Sequence, residues 1–198
     1  MKYDDFFSSS LGKKILEIEA KYVAKYASGI VASIGCGTGK IEERIEEISG
    51  EKIIGVEIDD KMVEIAKNRI EIIRANATAL PFKDASIDTV VFITSLEFIE
   101  NYRKAIEESY RVLKNKGKII AILLNTSSPY FRERYASGGY IKKNIKHLDI
   151  ESILEYMKNF FDIRVEGLFE IVQKDLYIPG KSVYGVKGIK RSIEYHSQ

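Results

Sequence analysis

The run Ile30-Val31-Ala32-Ser33-Ile34-Gly35-Cys36-Gly37-Thr38-Gly39 is apolar at first and then breaks into a loop with glycine at every second position, and Glu57 closes the next apolar run eighteen residues after Gly39. A strand ending in spaced glycines lets backbone approach a ligand closely, because glycine has no Cβ to block the approach and tolerates positive φ. An acidic residue ending the following strand can accept hydrogen bonds from both hydroxyls of a ribose. The pairing implies an adenosine-containing cofactor.

Working outward, Leu11, Ile15, Ile18, Tyr22 and Val23 recur at helical spacing and predict an opening helix over 8–27. Strands are expected at 30–34, 52–57, 70–74, 86–94 and 118–124. Helices alternate with them at 40–48, from an N-cap at Asp59 or Asp60 to 68, and at 102–113, where Ala105, Ile106, Tyr110 and Leu113 share a face and Asn115-Lys116-Gly117 follows as a stop. This alternation implies right-handed crossovers and a parallel sheet covered on both faces, a doubly wound α/β architecture. Between Asn125 and His147 the pattern dissolves into Ser, Gly, Tyr and basic residues, an irregular stretch read as a substrate-side insert over 125–147. A helix at 150–159 and strands at 162–170 and 182–190, joined through Pro179-Gly180, complete the expectation: seven mostly parallel strands with a C-terminal antiparallel hairpin.

Composition narrows the classes. The 198 residues suit one domain, 1–198, with no Pro/Gly/Ser-rich linker to divide it. A net charge of +2 is no electrostatic footprint for nucleic acid or an anionic membrane. Cys36 is the single cysteine, which excludes an intramolecular disulfide, and with only two histidines no metal site is expected. The N-terminus lacks an apolar secretory core, and the apolar stretch at 119–124 is far too short to span a membrane, so a soluble cytoplasmic protein is expected.

Loop spacing separates two cofactor classes. Gly35-x-Gly37-x-Gly39 lacks the third glycine three residues after the second that a dinucleotide fingerprint places where a helix N-terminus receives a pyrophosphate. With that loop, the opening Tyr3-Asp4-Asp5-Phe6-Phe7, Gly55-Val56-Glu57-Ile58-Asp59 with Met62, Ala77-Thr78-Ala79-Leu80-Pro81-Phe82, Ile87-Asp88-Thr89-Val90-Val91 and Arg111-Val112-Leu113-Lys114-Asn115-Lys116-Gly117, the chain resembles the small single-domain class I S-adenosylmethionine-dependent methyltransferases.

The resemblance implies S-adenosylmethionine as cofactor and S-adenosylhomocysteine as product. It implies that Gly35, Cys36, Gly37 and Gly39 bring backbone against the methionine and ribose parts, that Glu57 binds the ribose hydroxyls, and that Ile58 and Met62 flank the adenine. Asn76, Ala77 and Thr78 would meet the adenine edge, and Thr94 would lie beside the sulfonium. The chain departs from the family pattern at Ser33, where Asp or Glu is usual, and at Asn76, where Asp is common.

Methyl transfer from a sulfonium needs alignment more than a catalytic group, so the chemistry leaves few marks. Glu97 and His147 are the candidate bases. Glu97 reads more simply as a solvated carboxylate near a helix start, and His147 as a loop histidine bonded to backbone. Tyr130, Tyr135 and Tyr140 could line an acceptor pocket or only seal the insert, and Tyr3, Phe6 and Phe7 could close over the cofactor or only anchor a helix. Lys142, Lys143 and Lys146 fit an acidic substrate or a solvated loop, and small size accounts for Cys36 better than reactivity.

The expected function is methylation of a small molecule at nitrogen, oxygen or carbon. Ile93-Thr94-Ser95-Leu96-Glu97 stands where DNA amino-methylating enzymes carry an Asn/Asp-Pro-Pro-Tyr type motif, which argues against that substrate. A protein or tRNA methyltransferase, a cofactor-binding scaffold without turnover and a nicotinamide dehydrogenase are the alternatives.

Overall fold

The structure is a computed structural model that describes residues 4–172 and 175–192. Its elements, in chain order, are α1 (Asp5–Ser8), α2 (Ser10–Tyr26), β1 (Val31–Ile34), α3 (Lys40–Ser49), β2 (Ile53–Glu57), α4 (Asp60–Ala66), β3 (Glu71–Arg74), β4 (Ile87–Ile93), a 3-10 turn (Leu96–Phe98), α5 (Tyr102–Val112) and β5 (Leu113–Leu124). After β5 come α6 (Pro129–Ala136), α7 (Tyr140–Asn144), α8 (Ile150–Lys158), β6 (Phe161–Val172), β7 (Asp175–Tyr177) and β8 (Val183–Lys190).

The strands form one sheet in the order β3-β2-β1-β4-β5-β8-β6-β7, parallel from β3 to β5 and antiparallel beyond. The order reverses between β1 and β4, and in open α/β sheets ligands bind at such a switch point, outside the carboxyl ends of the strands. The alternating side chains of each central strand fill two cores. Val90, Phe92, Ile119, Ala121 and Leu123 pack with α5 and α8, while Val91, Ile93, Ile120, Ile122 and Leu124 pack with α2 and α3. Both faces are therefore covered, which is why these strands read as continuous apolar runs.

The helix expected over 8–27 is α2, and a separate short α1 precedes it, because Ser9 is extended (φ −72°, ψ 157°) and its hydroxyl oxygen accepts from the Gly12 amide at 3.0 Å, capping α2. Three expectations need correction. The sheet has eight strands, not seven: β7 pairs antiparallel with β6, and three residues are too few to show a period. The expected start of β5 at Lys118 is the second part of a strand that begins at Leu113, because the register runs from Ile87↔Leu113 to Thr89↔Lys118 and residues 114–117 bulge out between. The insert is not irregular but contains α6, capped by Ser128 with Pro129 in its first turn, and α7, each too short for hydrophobic periodicity to reveal.

Arg111 explains why two separated sequence pieces belong together. Its guanidinium donates to Leu80 O at 3.0 Å, Phe82 O at 2.8 Å and, through two bonds, to Glu108, whose carboxylate accepts from the Leu80 amide at 2.8 Å. The turn before β4 is thereby pinned to α5. No helix among the described residues is long and apolar enough to cross a membrane.

Candidate functional site

The loop after β1 is built from left-handed glycines: φ is 71° at Gly35, 57° at Gly37 and 70° at Gly39. A Cβ on Gly35 would lie 2.9 Å from Ser95 Cβ, and Ser95 in turn donates to Ile34 O at 2.7 Å, so the segment after β4 is packed directly on the loop. The loop amides are already engaged. Gly35 and Cys36 donate to Val56 O at 2.7 and 3.4 Å, Gly37 to Glu57 Oε2 at 2.9 Å and Gly39 to Cys36 O at 3.0 Å. A pyrophosphate needs free amides pointing at it, and this loop spends those four internally.

Cys36 contributes only backbone to the rim. Its side chain is buried with Ala66 and Ile70, and a Cβ on Gly55 would come within 2.7 Å of its sulfur and 2.8 Å of both Ile70 Cδ1 and Ile72 Cδ1. Gly55→Ala is therefore expected to overpack this spot and destabilise by about 1–3 kcal/mol, read as a shift in denaturant midpoint without change in slope. Burial pushes the Cys36 thiol up, with Glu42 and Glu57 adding to the effect, opposite to what a nucleophile needs. Alkylation by iodoacetamide at pH 8 is expected to be at least about tenfold slower in the native protein than in denaturant.

Glu57 ends β2 with its carboxylate turned to the glycine loop. Oε2 accepts from Gly37 N, and Oε1 accepts from Ile58 N at 2.8 Å and Asp59 N at 3.0 Å. One acceptor position on Oε2 is left for a ligand hydroxyl. Asp59 caps α4 through bonds from Lys61 N and Met62 N, which sets half-buried Met62 and exposed Ile58 beside the carboxylate. Ala75 N donates to Glu57 O at 3.0 Å and draws in the next loop, where Asn76 Oδ1 accepts from both the amide and the hydroxyl of Thr78 at 2.9 Å, with Ala77 between them. Thr94, in a left-handed conformation (φ 45°), donates its amide to Ile122 O at 2.8 Å and closes the far side of the crevice. The structure thus brings the sequence-selected rim residues to the carboxyl ends of β1, β2, β3 and β4.

Glu97 is not solvated. It is fully buried, its Oε1 accepts from Leu124 N at 2.6 Å, and its backbone oxygen accepts from Lys146 N and His147 N. Desolvation pushes its carboxyl up to about 7, against the lowering effect of the Leu124 bond. Sequence reasoning also missed Glu19 and Glu42. Glu42 accepts from Ser33 Oγ at 2.7 Å, so a carboxylate stands behind the glycine loop although position 33 itself lacks one. Burial pushes Glu42 up to about 7, and Glu19 is pushed up to about 8 by burial first and then by Glu42 and Glu97. The signal was present: Glu19 lies four residues from both Ile15 and Val23, and Glu42 three before Ile45, each inside an apolar stripe.

His147 stands apart from this crevice. Its Nε2 is 3.0 Å from Ile99 O and 3.1 Å from Glu100 O, its ring packs edge-on against Tyr102 at 4.7 Å, and it lines an open hollow of about 340 Å³ with Arg103 and Ser152. Tyr130 and Tyr135 pack against the α2 core and Tyr135 stacks on Phe131, whereas Tyr140 is exposed. Lys142 lies over the Tyr135 ring and Lys146 pairs with Glu100. At the N-terminus, Thr38 Oγ1 and Arg69 Nη2 both donate to Asp4 at 2.7 Å, tying the opening segment to the glycine loop, and Phe6 and Phe7 pack edge-to-face. Tyr3 lies outside the described residues. Among those described, no group of three or more His, Cys, Asp or Glu is placed to hold a metal ion.

A doubly wound sheet with a glycine loop at its switch point and a carboxylate on the neighbouring strand defines an α/β fold that binds an adenosyl cofactor without a phosphate cradle. A family model described as a methyltransferase domain matches residues 32–121. An uncharacterized protein of Methanocaldococcus jannaschii is 32% identical over 94% of this chain and 91% of its own length. A demethylmenaquinone methyltransferase of Oceanobacillus iheyensis is 35% identical over 61% of this chain, which spans 56% of that relative's length. A Thermotoga maritima crystal structure, described as a SAM-dependent methyltransferase and possible histamine N-methyltransferase, superposes with a TM-score of 0.80 at 24% identity, covering 96% and 95% of the two chains. The chain belongs to the class I S-adenosylmethionine-dependent methyltransferases. Its cofactor is S-adenosylmethionine. The residues present fit that molecule: positive-φ glycines leave room for close contact, and Glu42, a buried carboxylate on which no cation among the described residues acts, suits a ligand bearing an ammonium.

Proposed function

We propose that the chain transfers the methyl group of S-adenosylmethionine to a small-molecule acceptor at nitrogen, oxygen or carbon, in the cytoplasm. When bound, the cofactor supplies a methyl group already activated by its sulfonium, so the protein's task is alignment and exclusion of water. Gly35, Gly37 and Gly39 would admit the ligand's close approach, Glu57 would accept from the ribose, Glu42 would face the ammonium in place of an acid at position 33, and Ile58, Met62 and Asn76–Thr78 would surround the adenine.

The observation that carries the small-acceptor reading is the insert after β5. It folds into α6, whose Phe131 is buried against the α2 core and stacked on Tyr135, and its exit is bonded to Glu97. Tyr140 of α7 lies near enough to Glu57 and Asp59 for their charges to act on its phenol, and an ordered insert beside the crevice favours a metabolite over a macromolecular segment. Curated relatives named as demethylmenaquinone and sterol 4-C-methyltransferases act on small molecules, although the matches span about half or less of their length.

Calorimetry with S-adenosylmethionine and S-adenosylhomocysteine tests the cofactor, and transfer of label from a methyl-tritiated donor tests the acceptor class. Label is expected in the metabolite fraction of a cell extract. Label confined to tRNA or protein would overturn the small-acceptor reading, and binding without any labelled product would overturn turnover.

A further inference from the structure

Glu19 on α2, Glu42 on α3 and Glu97 in the turn after β4 are 4%, 2% and 0% exposed. With Glu57 they form a row: Glu57 acts electrostatically on Glu42, and Glu42 and Glu97 both act on Glu19. No cation among the described residues acts on any of the three buried ones. Among the described residues Glu19 makes no hydrogen bond or ion pair, and Glu97 Oε2 is a buried oxygen with no partner. Glu97 is nevertheless held rigidly, since Leu124 N fixes its other oxygen at 2.6 Å. An unpaired buried carboxylate is strongly unfavourable, and an apolar residue of similar size would avoid the penalty, so the arrangement is suited to a cation that arrives with a ligand.

The cofactor brings two positive groups, and Glu42, bonded by Ser33 directly behind the glycine loop, is placed for the ammonium. Glu19 and Glu97 lie further along the row, toward the ends of β4 and β5, where Tyr130 of α6 comes near enough for the Glu19 charge to act on its phenol. We propose that Glu19 and Glu97 form a subsite for the protonated nitrogen of the methyl acceptor, which makes the acceptor a small primary or secondary amine and the reaction an N-methylation.

This inference rests on the methyltransferase reading above and deepens it. An ammonium has no lone pair to offer a methyl group. At this subsite an N–H bond of the ammonium breaks as an O–H bond forms on Glu97 Oε2, leaving neutral amine with its lone pair free and Glu97 as a neutral acid, with total charge unchanged. The proton passes to water when product leaves. Both carboxyls sit near neutrality, so the transfer is reversible under working conditions. An alcohol of the same shape would leave Glu19 without a cation, which gives the site a basis for discrimination.

The test is calorimetric and needs no turnover. Protein saturated with S-adenosylhomocysteine is titrated with a panel of small primary and secondary amines and their alcohol isosteres, such as 2-phenylethylamine against 2-phenylethanol. At least one amine is expected to bind about tenfold or more tightly than its isostere, and Glu97→Gln and Glu19→Gln to remove that preference while S-adenosylhomocysteine affinity changes less than about threefold. Equal binding of amines and alcohols across the panel overturns the proposal, and that wild-type comparison stands even if a variant fails to fold. Loss of S-adenosylhomocysteine affinity in both variants overturns it too, by assigning the carboxylates to the cofactor. Absence of S-adenosylhomocysteine binding to the wild-type protein sinks the underlying reading instead, and this one with it.

Discussion

Replacing Glu57 by alanine is expected to weaken S-adenosylhomocysteine binding by about one to two powers of ten, because a ribose hydroxyl loses a charged acceptor worth about 1.5–3 kcal/mol. The same change frees the amides of Gly37, Ile58 and Asp59 from their shared acceptor, but these lie at a partly exposed rim where water can replace it. Stability should therefore change far less than affinity. Titration calorimetry beside a melting curve separates the two quantities. An affinity within about threefold of wild type would remove Glu57 from the ribose contact and leave it only the role of bracing the glycine loop.

The ligand-free protein is expected to lose stability as pH rises through neutrality. Glu19, Glu42 and Glu97 have folded-state values of about 8, 7 and 7, above the ordinary carboxylate value of 4.5. Between pH 4.5 and those values the native state holds protons that the unfolded chain has released, so stability falls across that window and levels off above about pH 8. Each unit corresponds to about 1.4 kcal/mol, so even one such group contributes several kcal/mol. The groups facing Glu19 are Glu42, Glu97 and Tyr130, with Arg134 acting on the phenol, and none supplies the missing positive charge to Glu19.

Glu19→Met isolates the effect, since other groups titrate over the same range in both proteins. The variant is expected to melt about 5–10 °C above wild type at pH 8.5 and close to it at pH 5. Scanning calorimetry at the two pH values measures the difference. A gap that is the same at both would mean that the carboxylate is not ionising inside the protein. Saturating S-adenosylmethionine is expected to reduce the wild-type dependence only in part, because its ammonium offsets the charge of Glu42 and leaves Glu19 and Glu97 without a cation.

Much of the fold was legible because buried parallel strands repeat apolar residues without interruption and their crossover helices carry a 3.6-residue stripe. Val31–Ile34, Ile53–Glu57 and Ile87–Ile93 fall where the apolar runs placed them. Short elements were not legible, since α6, α7 and β7 span eight, five and three residues and their existence depends on the core they pack against or the strand they pair with. At the site, the glycine loop and Glu57 were readable because close backbone approach demands a particular residue type at a particular place. Glu97 was misread because a carboxylate three residues after a strand carries no mark of its burial.

By itself, then, the amino-acid order determined the alternation of strands and helices, the crevice at the first strand and the class of cofactor, all of which are local: a glycine's missing Cβ and an apolar period act within a few residues. Only the tertiary structure decided that Glu19, Glu42 and Glu97, separated by up to 78 positions, share one buried row. A charge acts through space, not along the chain, and its protonation depends on what surrounds it in three dimensions.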